Sequence, residues 1–105
     1  MSNVEFQSGG ELIFEWDSDK ARINQIKHKV SFETATNVFF DENRIEKLDE
    51  EHSDDEIRWK VLGKVGDVLL VIYTERDDKT RIISARKAKP KERRIYYGNS
   101  DLYFA

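Results

Sequence analysis

The sequence predicts an α+β domain in which a helix pair packs on an antiparallel sheet of about four strands and a third helix ends the domain, in the order β-α-α-β-β-β-α. Three observations predict this class. An apolar strand precedes two stretches with helix-capping residues, alternating and fully apolar runs fill the middle of the chain, and a proline opens a last charged stretch. The length of 105 residues fits one domain.

The first strand and the first helix adjoin each other. Residues 12–16 read Leu-Ile-Phe-Glu-Trp, which is typical of a short strand, and Asp17 or Ser18 is a suitable N-cap for a helix that continues to about Lys29. Three apolar residues of this stretch are spaced to form the buried face of the helix: Ile23, Ile26 and Val30.

A second helix is predicted directly afterwards, with Ser31 as its N-cap and with an apolar stripe at Phe32, Ala35 and Phe39. The acidic residues that follow end the stripe. We expect residues 41–56 to form a loop with a fragment of strand near residues 44–48, since this segment has neither a strong period nor Gly or Pro.

Three further strands are predicted in the second half of the chain. Residues 57–62 alternate between apolar and polar, which indicates one solvated face, and a turn is expected at residues 63–67. Residues 68–73 are apolar on both faces and therefore predict a central strand. Asp77-Asp78 is a suitable hairpin turn into a third strand at residues 80–85.

The last helix is expected to start at Pro90 and to continue to about Tyr97, where Gly98-Asn99 would stop it. We expect one domain over residues 12–98, a mobile N-terminal segment over residues 1–11 and a C-terminal tail over residues 99–105.

Composition excludes several classes of site. The chain has no cysteine, so disulfides and thiolate zinc sites are excluded, and its two histidines are too far apart in sequence to favour a metal site, so no cofactor is expected. The longest apolar run, residues 68–73, is far shorter than the ~20 residues of a membrane helix, and no leader opens the chain. We therefore expect a cytoplasmic protein that has no membrane partner.

The net charge of −3 conceals two opposed blocks. Residues 41–58 hold nine acids and three bases, whereas residues 81–94 hold seven bases and one acid. A basic stretch of this kind is a possible footprint for a polyanion, and a solvated helix face is the alternative interpretation.

The basic block also contains a set of residues that suits chemistry on RNA. Arg86 ends a predicted strand that begins near Arg81, while Glu92 and Tyr96 are neighbours one turn apart on the predicted last helix. We therefore expect the arginine, the carboxylate and the phenol to converge at one edge of the sheet. Fixed guanidinium groups can stabilise the charge that develops when a ribose 2′-OH attacks its own phosphate, and a carboxylate or a phenol can transfer protons. Surface packing of arginine and tyrosine is the competing interpretation of the same residues.

The chain from Phe14 to about Tyr97 resembles the BrnT family of bacterial type II toxins. The opening of the family is matched by residues 14–17 (Phe-Glu-Trp-Asp), Lys20-Ala21, Asn24 and residues 27–33 (Lys-His-Lys-Val-Ser-Phe-Glu), and its middle by residues 52–54 (His-Ser-Asp), residues 56–59 and Leu62-Gly63. The clearest match, with the family's order and similar gaps, is formed by residues 81–86 (Arg-Ile-Ile-Ser-Ala-Arg), Ala88, and Glu92-Arg93 with Tyr96. Lys29 departs from the family, which usually has glycine after the histidine.

The resemblance implies a RelE-like fold and a metal-independent endoribonuclease that arrests translation and growth. It also implies a co-encoded antitoxin of the BrnA type as partner, with RNA as substrate and with operator DNA bound only through the antitoxin. The alternative function is a non-catalytic module whose basic C-terminal helix docks another protein.

Carried over by position, the resemblance implies catalytic roles for Arg81, Arg86, Glu92 and Tyr96. Within that set we expect Arg86 to stabilise transition-state charge and Glu92 or Tyr96 to transfer protons. The residues expected to bind RNA are Lys27, His28, Lys87, Lys89 and Arg93. Capping of its helix competes as a role for His28, and His52 is expected to make only hydrogen bonds within its loop.

Overall fold

A computed structural model describes residues 2–7 and 10–98, and this part of the chain forms a mixed six-stranded sheet with helices against both faces. In chain order its elements are β1 (Asn3–Gln7), β2 (Ile13–Asp17), α1 (Ser18–His28), α2 (Phe32–Thr36), β3 (Ile45–Leu48), β4 (Arg58–Val65), β5 (Asp67–Arg76), β6 (Lys79–Lys87) and α3 (Pro90–Gly98). Within these ranges no helix has the length and apolar character to cross a membrane. The predicted tail, residues 99–105, lies outside the described residues.

The strand order β1-β2-β6-β5-β4-β3 confirms the α+β class and corrects the predicted sheet. The sheet has six strands rather than about four, because β1 and β3 each add an edge strand. It is mixed rather than antiparallel, since β2 runs parallel to β6 while the other neighbouring pairs in the described sheet are antiparallel. The RelE-like topology stays a prediction.

Strand β1 lies in the segment that was expected to be mobile, residues 1–11. Val4 and Phe6 alternate with polar residues and pair with Trp16 and Phe14 of β2. Both apolar side chains pack against the main core, which supplies the burial that orders this strand.

The two faces of the sheet carry separate cores. Helices α1 and α2 cover one face, where Phe14, Trp16, Phe32, Val71 and Ile82 are among the buried residues. Helix α3 packs on the other face through Ile95 and Tyr96, which contact a smaller core formed by Ile45, Leu62, Val68 and Leu70. Alternation along β4 and β5 explains the division, because neighbouring residues point to opposite faces.

Helix α1 begins at the predicted cap but turns a different face inward. Asp17 accepts hydrogen bonds from the backbone N–H groups of Asp19 at 2.8 Å and Lys20 at 3.1 Å, and these bonds hold the pKa of Asp17 below its usual value. The predicted burial of Ile23 and Ile26 is wrong, since their exposed fractions are 53% and 61%.

Asn24 is the residue of α1 that faces the sheet. Its amide donates to the carbonyl oxygens of Val30 at 2.9 Å and Ala85 at 2.8 Å and accepts from the N–H of Ala85 at 3.2 Å. Among the described residues, β6 pairs with β2 only at Thr80 and Arg81. Beyond that point, the side chain of Asn24 supplies the hydrogen bonds that the backbone N–H and carbonyl groups of Ala85 need. These three bonds set the rotation of the helix.

A β-bulge changes which side chains of β6 share a face. Ile72 pairs with Ser84 and Tyr73 pairs with Ile82, so Ile83 is the additional residue. Unbroken alternation would place Ile82 with Ser84 and Arg86, but Ile82 lies in the core under the helix pair. The bulge therefore places Arg81, which pairs with Thr74, on the same face as Ser84 and Arg86.

Of the two predicted turns, one is confirmed and the other is shorter than predicted. The Asp77-Asp78 hairpin turn is confirmed, and both residues adopt the positive φ that a two-residue hairpin turn requires. The turn expected over residues 63–67 is much tighter, because β4 continues to Val65 and the chain reverses at Gly66, whose φ is 71°. Gly63 lies within the strand rather than in a turn, and position 63 needs glycine because a Cβ there would lie 2.6 Å from the Cβ of Val38.

Candidate active site

The α3 face of the sheet is only partly covered, and its open part forms a cleft of about 340 Å³. Helix α3 closes one end of this face, and the acidic segment between β3 and β4 forms a wall. The lining residues are Asp49, Glu51, His52, Arg58, Lys60, Leu70, Ile72, Ile83, Ser84, Arg86 and Glu92. The cleft thus joins bases from β4 and β6 to acids from the wall and from α3.

Arg86 and Glu92 form an ion pair with two hydrogen bonds in the cleft. The guanidinium donates from Nη1 to Oε1 at 2.8 Å and from Nη2 to Oε2 at 2.9 Å, which is the two-pronged geometry that fixes an arginine in one orientation. Glu92 also accepts from the backbone N–H of Lys89 at 2.8 Å and so caps α3. The sequence predicted that these two residues converge, and they do.

The ionisation of Glu92 follows from these contacts. Burial favours the neutral acid, but the hydrogen bonds from Arg86 and from the Lys89 backbone outweigh it and hold the pKa of Glu92 below its usual value. Glu92 is therefore a carboxylate at neutral pH and orients the guanidinium. A proton donor or a strong base would need a higher pKa.

Strand β4 supplies two further cations to the cleft, Arg58 and Lys60, which alternate with the inward-facing Trp59 and Val61. Nε of Arg58 lies 3.7 Å from a carboxylate oxygen of Glu56 and is the one buried side-chain polar atom in residues 2–7 and 10–98 that has no hydrogen-bond partner. The predicted solvated face of this strand is thus a wall of the cleft.

A histidine–carboxylate pair lines the same cleft and confirms the expected hydrogen bond of His52 within its loop, although the sequence did not identify Asp49 as the partner. Nδ1 of His52 lies 3.0 Å and 3.2 Å from the two carboxylate oxygens of Asp49. The side chain of Asp49 is 6% exposed and that of His52 is 62% exposed. The three-residue spacing in the sequence was the available signal, but Asp49 is one of many acids in its segment and its burial cannot be read from the sequence.

Arg81 shares the cleft face of the sheet but does not line the cleft. Its guanidinium donates to Oδ1 of Asn3 at 2.7 Å and lies 3.4 Å from a carboxylate oxygen of Glu15. These partners belong to β1 and β2, so Arg81 connects three strands at the other end of β6.

Tyr96 packs in the small core beneath α3 and does not line the cleft. Its hydroxyl donates to Oδ2 of Asp41 in a short hydrogen bond. Burial and this hydrogen bond to the carboxylate raise the pKa of Tyr96 to about 12. The phenol therefore keeps its proton at neutral pH and anchors α3 to the start of the acidic segment.

The predicted RNA-binding residues are divided between the two faces. Lys27 and His28 lie on α1, which covers the opposite face of the sheet, and Lys87 lines a separate cavity beside the end of α1. Lys89, which directly precedes α3, and Arg93, which lies on α3, are both exposed, and α3 packs on the face of the sheet that carries the cleft. Arg93 lies 5.9 Å from the ring centre of Tyr97, an exposed aromatic residue.

The cleft can bind and orient a phosphate through arginine and lysine and can exchange a proton through histidine. Within residues 2–7 and 10–98, no group of three or more histidine, aspartate or glutamate side chains is arranged to hold a metal ion.

Comparisons with known proteins identify relatives of this chain. Residues 16–92, more than half of the chain, match the model of a family described as the ribonuclease toxin BrnT of type II toxin-antitoxin systems. Among solved structures, the crystal structure of the Brucella abortus ribonuclease toxin BrnT matches with a TM-score of 0.54 and 23% sequence identity, covering 70% of this chain and 92% of that one. No curated protein matches the sequence. The structural match supports the fold.

Proposed function

Because the chain belongs to the BrnT family of ribonuclease toxins from type II toxin-antitoxin systems, we propose that it is an endoribonuclease whose active site is the cleft between α3 and the acidic segment. The proposed reaction needs no metal ion. The ribose 2′-OH attacks the adjacent phosphate, and the products carry 2′,3′-cyclic phosphate and 5′-hydroxyl ends. In the cell, cleavage of this kind would arrest translation and growth.

The observation that carries the proposal is the fixed guanidinium of Arg86 in an open cleft. Two hydrogen bonds to Glu92 hold it in place, and its side chain remains 27% exposed. A donor that is oriented before the substrate arrives stabilises developing negative charge without reorganisation. Arg86 is therefore assigned to the charge that builds on the phosphate oxygens in the transition state.

The remaining residues receive roles from their contacts. Arg58 and Lys60 are assigned to phosphates of the bound RNA, and Lys89 and Arg93 to phosphates that leave the cleft along α3. Glu92 is assigned to positioning Arg86. The proposed RNA surface omits Lys27, His28 and Lys87, because α1 covers the opposite face of the sheet. Arg81 and Tyr96, whose side chains bind other protein groups, are assigned to holding the fold.

The test is cleavage of RNA by the purified chain in the presence of EDTA. We expect RNA to be cut, with 2′,3′-cyclic phosphate or 3′-phosphate at the new ends. A matched preparation of Arg86→Ala, purified identically, reveals any contaminating nuclease, since contamination would cut equally in both. Intact RNA across several substrates, or cleavage that requires an added divalent ion, would refute the proposal.

A toxin of a type II system has an antitoxin partner, and we propose that this one is BrnA-like and is encoded beside it. Two exposed bases of α3, Lys91 and Arg94, line a separate cavity with Ile95 and suit an acidic segment of such a partner. An antitoxin that extends from there across α3 to Glu92 would also cover the cleft. Operator DNA would then be bound through the antitoxin, and both proteins would act in the cytoplasm.

The alternative function, a binding module without catalysis, needs the same basic helix but not the ordered cleft. It predicts partner binding without any cleavage of RNA. The EDTA assay therefore separates the two functions, because only the nuclease cuts RNA when the chain is alone.

A further inference from the structure

The pair of Asp49 and His52 is built as a proton-transfer unit. Both carboxylate oxygens of Asp49 lie within 3.2 Å of Nδ1, so a ring with its proton on Nδ1 donates to the carboxylate and keeps a free lone pair on Nε2. The contrast between 6% exposure for Asp49 and 62% for His52 means that the carboxylate is enclosed while the ring reaches the cleft.

The loop that carries the pair is tied to the start of β4. The N–H of Asp49 donates to the carbonyl oxygen of Arg58 at 2.8 Å. The hydroxyl of Ser53 donates to the carbonyl oxygen of Asp49 at 2.7 Å and accepts from the N–H of Arg58 at 2.9 Å. These bonds hold the backbone on both sides of His52, and the carboxylate of Asp49 orients the imidazole before any substrate binds, which is what a catalytic group requires.

The cleft brings this imidazole opposite the phosphate-binding side chains. The charged and titratable groups that line the cleft with it are Asp49 and Glu51 from its own segment, Arg58 and Lys60 from β4, Arg86 from β6, and Glu92 from α3. His52 also lines a second cavity, whose charged groups are Asp54, Asp55, Glu56, Arg58 and Arg76. A phosphate bound to Arg86 would have its ribose within the same cleft as Nε2.

We propose that His52 is the general base of the reaction and that Asp49 is its positioning residue, an inference that rests on the proposed ribonuclease function. Nε2 takes the proton of the 2′-OH, and O2′ forms a bond to phosphorus. The bond from phosphorus to O5′ breaks with its electron pair on O5′, which takes a proton from water. Asp49 stabilises the imidazolium, which then loses its proton to the resulting hydroxide.

The test compares variants at His52 and Asp49 in the EDTA assay. His52→Ala is expected to lower kcat by about 10²- to 10⁴-fold, the usual contribution of a general base. Added imidazole is expected to restore part of the rate of His52→Ala, because the exposed position leaves room for it. Asp49→Asn is expected to lower kcat less and to shift the pH at which the rate rises. Glu50→Gln, in the same turn but outside the cleft, is the matched control and should retain the full rate.

The pH profile distinguishes a general base from a structural residue. In the unaltered protein the rate should rise with pH on the acid side as the ring loses its proton, and His52→Gln should lose that rise. Wild-type rates in both His52 variants would overturn the inference, as would a loss of rate that imidazole does not restore and that leaves the pH profile unchanged. Failure of the unaltered protein to cut RNA would instead overturn the proposed function.

Discussion

Replacing Arg86 by alanine is expected to lower the rate of RNA cleavage by about 10²- to 10³-fold, the usual cost of removing one preorganised donor from a charged transition state. The loss should fall mainly on kcat, because Arg58 and Lys60 remain to bind the substrate. The measurement is the single-turnover rate on a short RNA with EDTA present. Thermal unfolding of the same sample shows whether the fold survives.

Two variants control this experiment. Arg86→Lys keeps the charge but loses the two-pronged bond to Glu92, so its rate should recover only in part. Arg22→Ala removes the same charge from the exposed surface of α1, on the other side of the sheet, and should cut RNA at the full rate. Equal rates for Arg86→Ala and Arg22→Ala would mean that Arg86 has no part in the reaction.

Replacing Asn24 by alanine is expected to reduce the free energy of unfolding by about 3 kcal/mol, because three backbone groups of Val30 and Ala85 lose their partner in a buried site. For a domain of this size, that loss lowers Tm by more than about 10 °C. Urea unfolding monitored by circular dichroism provides the measurement.

The neighbouring Gln25→Ala is the control, since its side chain is exposed on the same helix and alanine favours helix formation. It should leave the stability unchanged or slightly raised. If Asn24→Ala reduced the free energy of unfolding by less than about 1 kcal/mol, water would be replacing the lost hydrogen bonds to Val30 and Ala85. Asn24 would then not fix the rotation of α1.

Much of the fold can be read from local patterns. Strands β4, β5 and β6 and helix α3 lie where alternation, an apolar run, a two-residue turn and Pro90 predict them. The caps Asp17 and Ser31 are also confirmed, each accepting hydrogen bonds from the first turn of its helix. Such signals depend on neighbouring residues, so no tertiary contact needs to be known.

The errors arise where a distant contact outweighs the local pattern. Ile23 and Ile26 have helical spacing, but the hydrogen bonds of Asn24 to β6 turn them outward. Strand β1 contains just two apolar residues, and pairing with β2 orders it. The bulge at Ile83 places Arg81 on the face of the sheet opposite to the one that strict alternation along β6 predicts. Alternation alone cannot predict this change.

The sequence predicted one part of the candidate site, the pair of Arg86 and Glu92, but not the other part, the pair of Asp49 and His52. Arg86 and Glu92 converge as expected, because a strand end and the first turn of the next helix are neighbours in any such connection. His52 was assigned to loop hydrogen bonds alone, since the acidic block hides which carboxylate is buried beside it. That block borders the cleft through Asp49 and Glu51, so the opposed charges along the chain meet at the site.

The most direct test of attack by the 2′-OH is to compare the cleavage of two matched RNAs in EDTA. One of the two RNAs carries a single 2′-deoxyribose on the 5′ side of the mapped cleavage position. We expect the chain to bind both RNAs and to leave the substituted linkage intact, because the attacking hydroxyl is missing. Cleavage of the substituted linkage at the normal rate would contradict attack by the 2′-OH and with it the proposed chemistry of the cleft.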